Sequence, residues 1–281
     1  MIRSEILETG EQARQRIRTG QWLGPTAGLA PGFVQANLVI LPERWAQDFL
    51  RFCQLNPRPM PILEVLGPGN PHPKRVAHHA DLRTDLPRYR VYREGKMVDE
   101  PTDLRHLWQP DWVAFLLGCS FTTEHQLVQQ GVRLRHIEQG QNVPMYKTRW
   151  LCKPGGRFRG PLVVSMRPIA RKHVARSYAV TSRFPLAHGA PVHWGDASRL
   201  GIEDLSAPDY GEPIKILDDE IPVFWACGVT PQAALAIVQP EIAVTHAPGH
   251  MFITDWKDTD IDGKTVDDVD QDAEDFSVWE L

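Results

Sequence analysis

Apolar and polar positions change in short blocks along this chain, and most blocks end at a proline or a glycine. Glu11 to Arg18 reads as a first helix. VQANLVIL, from Val34 to Leu41, is an almost continuous apolar run and predicts a largely buried strand after the turn-rich segment GPTAGLAPG. Pro42 then stands at a helix N1 position, where its missing N–H costs nothing. Trp45, Phe49 and Phe52, spaced by four and three, make one apolar face of the helix that follows. Pro61 to Leu66 predicts a strand ending in the loop GPGNPHP, and RYRVYRE (88–94) alternates as a half-exposed strand does.

Further along, Asp111 predicts the cap of a helix running through WVAFLLGCSFTTEHQLVQQ to a stop at Gly131. PLVVSMRP (161–168) predicts another buried strand, followed by an amphipathic segment from Ile169 to about Ser182. The stretch from Phe184 to Gly211, rich in Gly, Pro and Asp, predicts mostly loop. The clearest unit comes last. PVFWACG (222–228) is an apolar strand, Thr230 an N-cap with Pro231 at N1 of the helix PQAALAIV, and EIAVTH (241–246) a second strand. Read as a βαβ crossover, this unit predicts two parallel strands in one sheet, with Cys227 and His246 near the same edge. The fold class expected is α/β, of a mixed α+β kind.

Composition narrows the classes. Of 281 residues, 42% are hydrophobic and 23% charged, which excludes a wholly disordered chain. Twenty-four prolines force short elements and argue against a bundle of long helices. No apolar run approaches the roughly 18 residues of a membrane span, and the charged start MIRSEILETG is no secretory signal. Cys53, Cys119, Cys152 and Cys227 show no CxxC pairing and read as free thiols in a reducing compartment, so a cytoplasmic location is expected.

The net charge of −4 is uneven: Lys257 to Leu281 holds ten acids and two lysines, leaving the body at +4. That body has no Lys/Arg stripe, so nucleic acid is a poor partner. The string Asp258 to Gly263 imitates the opening of a calcium loop, but Val269 stands where the loop needs a bidentate Glu. Residues 257–281 therefore read as a solvated acidic tail, and neither a metal nor a cofactor is expected.

Candidate chemistry follows from the rule that ligands bind beyond the carboxyl ends of parallel strands. It selects Cys227, Gly228 and Thr230, where a helix N-terminus suits an anion. It also selects His246 and His250 of THAPGH as acid/base groups, and Arg167 as a planar carboxylate donor. Arg83, in Asp81-Leu-Arg83-Thr-Asp85, is a second carboxylate anchor or else part of a solvated ion-pair cluster. Cys119 and Ser120, beside Gly118, permit close approach of a ligand or serve packing. Cys227 in an apolar strand equally reads as a buried small hydrophobe. The pair His188 and His193 is a weaker signal of the same turn-rich kind.

Taken together, GPTAGLAPGFVQANLVILP, DLRTDLPRYRVY, FLLGCSFTTE, RHIE, GPLVVSMRP, FPLAHGAPVHWGD, PVFWACGVTPQ and THAPGHMFITD closely resemble the hydro-lyases of the D-glutamate cyclase family. The resemblance runs from about Arg14 to Asp255. It implies a carbon–oxygen lyase acting on a small acidic amino acid, with D-glutamate cyclised to 5-oxo-D-proline by loss of water. It also implies a larger α/β domain (1–110 with 211–256) and a smaller inserted α+β domain (111–210). The expected partner is a small acid, with no membrane and room for a homo-oligomer. The rival reading is a non-catalytic sensor of small acids, which needs the anion donors and no acid/base group.

Overall fold

The computed structural model describes residues 8–271. In chain order its strands are β1 (Phe33–Pro42), β2 (Ile62–Leu66), β3 (Tyr89–Arg93), β4 (Lys96–Asp99), β5 (Trp112–Gly118), β6 (Met145–Leu151), β7 (Pro161–Ala170), β8 (His193–Trp194), β9 (Glu220–Ala226), β10 (Ala243–His246) and β11 (Phe252–Lys257). The helices are α1 (Gly10–Arg18), α2 (Glu43–Leu55), α3 (Glu124–Gln129), α4 (Arg135–Gln139), α5 (Val174–Thr181), α6 (Thr230–Val238) and α7 (Val266–Gln271). One sheet runs β2-β5-β1-β10-β3-β4, with β11 also paired to β1, and the other runs β6-β7-β9-β8. Every strand pair among the described residues is antiparallel.

The fold is mixed α and β, and the expected parallel strands are overturned. β9 and β10 lie in different sheets, so the strand–helix–strand unit connects the two sheets and forms no crossover within one. The reason is physical. A strand covered on both faces reads as a continuous apolar run whether its neighbours are parallel or antiparallel.

The same ambiguity overturns the helix expected after Asp111. Trp112 to Gly118 is a strand, buried at all seven positions and paired residue by residue with β1, from Pro42 opposite Trp112 to Ala36 opposite Gly118. A β-carbon on Gly118 would stand 1.6 Å from the carbonyl oxygen of Leu186, so only glycine allows that segment to lie there. The helical part of the stretch is the short α3, and Gly131 (φ +76°) ends the turn after it.

Helix α2 follows its pattern. Phe49 and Phe52 are fully buried, and Phe49 meets Phe115 of β5 edge-on at 4.8 Å between ring centres. Each such ring stabilises the layer by about 1.5–3 kcal/mol. The opening of the acidic segment is folded as well, against the expectation of a solvated tail. Asp258 is buried and accepts hydrogen bonds from His125 and Gln126, Ile261 is fully buried, and Asp262 pairs with Arg183. Residues 272–281 of the expected tail lie outside the described residues. No described helix is long and apolar enough to cross a membrane.

Candidate active site

The two sheets meet at one small cavity, and strands and strand ends from both supply its walls. Asn37 comes from β1, Ser165 from β7 and His246 from the end of β10, while Cys119 and Ser120 directly follow β5 and Cys227 directly follows β9. Phe121, Met145 and Met251 close it. Its free volume is about 10 Å³, close to that of one water.

The turn after β9 reaches the first sheet through Gly228. A β-carbon there would stand 1.9 Å from Asn37 Nδ2, whose amide donates to the carbonyls of Gly118 and Leu117 at 2.7 and 3.3 Å. Asn37 thus ties β1 to β5 at the point where Gly228 packs.

His246 is 0% exposed. Its Nδ1 lies 3.2 Å from both the N–H and the carbonyl oxygen of Leu38, so the backbone there serves either tautomer. Its Nε2 is buried with no partner among the described residues. Burial is the main reason its pKa falls to about 4, with nearby His250 and Arg90 adding to the effect. The ring is therefore neutral near pH 7 and can carry its one proton on either nitrogen.

Beneath this cavity lies a buried ionic network. Arg167 donates to Glu124 Oε1 from Nε at 3.0 Å and from Nη2 at 2.6 Å, to Ser165 Oγ at 3.2 Å and to Ser120 Oγ at 3.1 Å. His136 Nε2 lies 2.8 Å from the same Glu124 oxygen. Burial pushes the Glu124 carboxyl up, and the charges of His136 and Arg167 outweigh it, holding Glu124 below the usual carboxylate range. An arginine N–H that occupies a serine oxygen leaves that serine's own proton free to point elsewhere. Ser120 and Ser165 both line the cavity, so both are available as donors into it.

A family model described as D-glutamate cyclase matches residues 113–255. A protein named "Putative hydro-lyase" from Geobacillus kaustophilus is 58% identical, covering 89% of this chain and 95% of its own. Proteins of the same name from Bordetella pertussis and Rubrobacter xylanophilus are 58% and 57% identical, over 88% and 89% of this chain and 89% and 96% of their own. The chain belongs to the D-glutamate cyclase family. The lyase class expected from the motifs agrees with the names of these relatives.

In this family member, four of the nine sequence-selected residues line the cavity: Cys119, Ser120, Cys227 and His246. Gly228 packs beside it. Both cysteines are protonated thiols at neutral pH, because burial pushes Cys227 up to about 11 and Cys119 further still. Thr230 does not cap α6. Val229 holds the N-cap position, and Thr230 Oγ1 donates to the carbonyl of Cys227 at 2.7 Å while accepting from Val163 N–H at 3.1 Å. The N–H groups of Thr230 and Gln232 are bonded to Cys227 and Val229, so the turn does not present them to an anion.

Arg167 lies behind the cavity wall with its guanidinium occupied, and it acts there through Ser120 and Ser165. His250 is part-buried, with Nδ1 3.0 Å from the carbonyl of Pro248, and it does not line the cavity. Arg83 is bonded through Nε and Nη2 to Asp81 and does not line it either. A larger cavity of about 610 Å³, bordered by Arg58, Tyr178 and His188, holds none of the nine.

Asn37, Ser165, Glu124 and His136 were not singled out by sequence reasoning. The available signal for Asn37 and Ser165 was a polar residue interrupting an apolar strand. Glu124 and His136 stand within FTTE and RHIE, two of the segments that carry the resemblance. Among the described residues no three His, Cys, Asp or Glu side chains are grouped to hold a metal ion.

Proposed function

We propose that this chain is a hydro-lyase that dehydrates a small acidic amino acid, with D-glutamate, cyclised to 5-oxo-D-proline, as its leading substrate. One observation carries the reading: His246, whose buried Nε2 has no partner among the described residues, lines a cavity that two serines also line. In the cyclisation the substrate amine attacks its own side-chain carboxyl, a C–N bond forms, and the carboxyl oxygen departs as water. Ser120 and Ser165 donate to the carboxyl oxygen that gathers negative charge. The ammonium sheds two protons, one before attack and one as the C–N bond forms, and His246 passes each in turn to the carboxylate oxygen, which leaves as water when the C–O bond breaks. The two-way contact of Nδ1 with Leu38 lets the ring do so without losing its anchor. A substrate carboxylate beside the ring raises its pKa from about 4 toward the working range.

The nucleophile belongs to the substrate, so the protonated thiols of Cys119 and Cys227 serve as packing and weak donors. The cavity holds about one water as it stands. Admission of substrate therefore requires Phe121, Met145 or Met251 to swing aside. Purified protein incubated with D- and L-glutamate and aspartate, assayed for 5-oxoproline or another dehydrated product, tests the reading. Wild type forms product from at least one of them, and His246→Ala loses on the order of 10²-fold in kcat. Tight binding without product from any dicarboxylic amino acid defeats the proposal.

A further inference from the structure

Phe121 lines two cavities: the small one at His246 and a second of about 200 Å³. The second is walled by the loop Gly28–Phe33, by Val128 and Ile137, and by two polar residues of the core, Gln35 and Glu124. Its surface is mostly apolar, yet two of its lining residues carry buried acceptors without donors. Glu124 is 2% exposed, and its Oε2 has no partner among the described residues, while Oε1 takes Arg167 and His136. Gln35 is 3% exposed, and its Oε1 is likewise unpartnered. The orientation of that amide is fixed by its other end. Gln35 Nε2 donates to the carbonyls of Thr26 and Leu29 at 2.9 and 3.3 Å, which only an NH₂ group can do.

The remaining polar neighbour is already satisfied. His125 Nδ1 lies 3.1 Å from Asp258 and its Nε2 lies 3.0 Å from Gln129 Nε2, so it offers the cavity no free donor. Two residues lining one cavity thus each carry a buried acceptor without a partner, one of them a carboxylate, and such acceptors are costly unless a donor reaches them.

We infer that this cavity is an ammonium-binding subsite, in which Glu124 Oε2 and Gln35 Oε1 accept from a primary ammonium whose carbon chain rests on the apolar wall. The identification of that ammonium as the substrate's amine rests on the proposed function; the subsite itself does not. The geometry joins the two. Ser120 Oγ and Glu124 Oε1 share Arg167 Nη2, at 3.1 and 2.6 Å, so the hydroxyl at one cavity and the carboxylate at the other are separated by a single guanidinium nitrogen. An amino acid first captured with its amine at Glu124 can present a carboxyl toward Ser120 once Phe121 moves, and its amine then passes to His246 for the reaction. Arg167 then has a positioning role, neutralising one oxygen of Glu124 while the other remains for ligand.

The test uses the full chain and the probes n-propylammonium and n-propanol, which match in size and differ in charge and donors. Isothermal titration should show the ammonium binding at least about tenfold more tightly than the alcohol, an energy difference of about 1.4 kcal/mol. Gln35→Leu and Glu124→Gln should each weaken the ammonium by about tenfold or more, with circular dichroism confirming the fold. His246→Ala should leave its binding unchanged. Equal binding of alcohol and ammonium, absence of ammonium binding to wild type, or equally strong competition by potassium or sodium overturns the assignment. Should Glu124→Gln fail to fold, the wild-type selectivity and Gln35→Leu decide the matter. Ammonium selectivity without any dehydrated product leaves the subsite and defeats the proposed reaction; product without ammonium selectivity does the reverse.

Discussion

Two arginine–carboxylate pairs, alike in chemistry, lie in opposite settings. The side chains of Arg167 and Glu124 are 2% and 3% exposed and share their charges with His136, Ser120 and Ser165. Arg83 and Asp81 are 28% and 18% exposed, two residues apart in one loop, with the guanidinium laid across the carboxylate. Arg83–Asp81 exchanges solvent for a local partner and fixes a turn. Arg167–Glu124 has no solvent to fall back on, so each member depends on the other and both orient hydroxyls at a cavity. What differs is burial, and burial decides whether an ion pair is a surface ornament of the loop or a part of the site.

The sharpest way to break that contrast is to remove one buried partner. Arg167→Met should destabilise the protein by about 3–5 kcal/mol in urea unfolding, because the buried Glu124 charge is left with His136 alone. Adding Glu124→Leu should recover much of that loss while leaving the site inactive. A double variant no more stable than the single one argues that the network's hydrogen bonds, and not the stranded charge, dominate.

Acid should act next most strongly, through histidines. Burial lowers both His188 and His246 to about 4 from the ordinary 6.5. The unfolded chain therefore takes up their protons first as pH falls. Stability is fully present above about pH 6.5 and is lost as pH drops toward about 4, by roughly 2–3 kcal/mol for each ring. Urea melts between neutral pH and about pH 4.5 measure this slope. His188→Asn should flatten it by about half, since asparagine tolerates the left-handed backbone of that position (φ +73°).

A smaller effect is expected at the hydroxyls. Ser120→Ala should weaken turnover by about tenfold with little loss of stability, reflecting one lost donor to charge developing in the reaction. Equal losses in Tm and activity make Ser120 structural. Smallest of all is Arg83→Ala. It should cost about 0–1 kcal/mol and leave substrate affinity untouched, because its guanidinium already has its carboxylate at the surface. A tenfold rise in KM for that variant restores Arg83 as an anchor and breaks the comparison.

Local pattern was a good guide wherever one face of an element met the core. Trp45, Phe49 and Phe52 mark α2 because their spacing matches a helix, and Gly10–Arg18 carries its Thr9–Gln12 capping box as a local signal. The pattern was silent where both faces are buried. WVAFLLG and VFWA are equally apolar in every direction, so neither helix against strand nor parallel against antiparallel can be read from them. The site shows the same division. The segments holding Cys119, Ser120, Cys227 and His246 were legible as turn-rich ends of apolar runs, and they converge on one cavity through sheets other than those expected.

The sequence by itself determined the elements with one buried face, the family, and the chain segments that carry chemistry, because these depend on spacing, turn residues and motif order. Tertiary structure decided the rest. It put β9 and β10 in separate sheets, left His246 Nε2 without a partner, and spent Arg83 on Asp81 and Arg167 on Glu124. Desolvation and partner geometry are properties of the space around an atom, and residues far apart in the chain create that space. A histidine written shortly before a proline and a glycine carries no record of which of its nitrogens will be left without a partner.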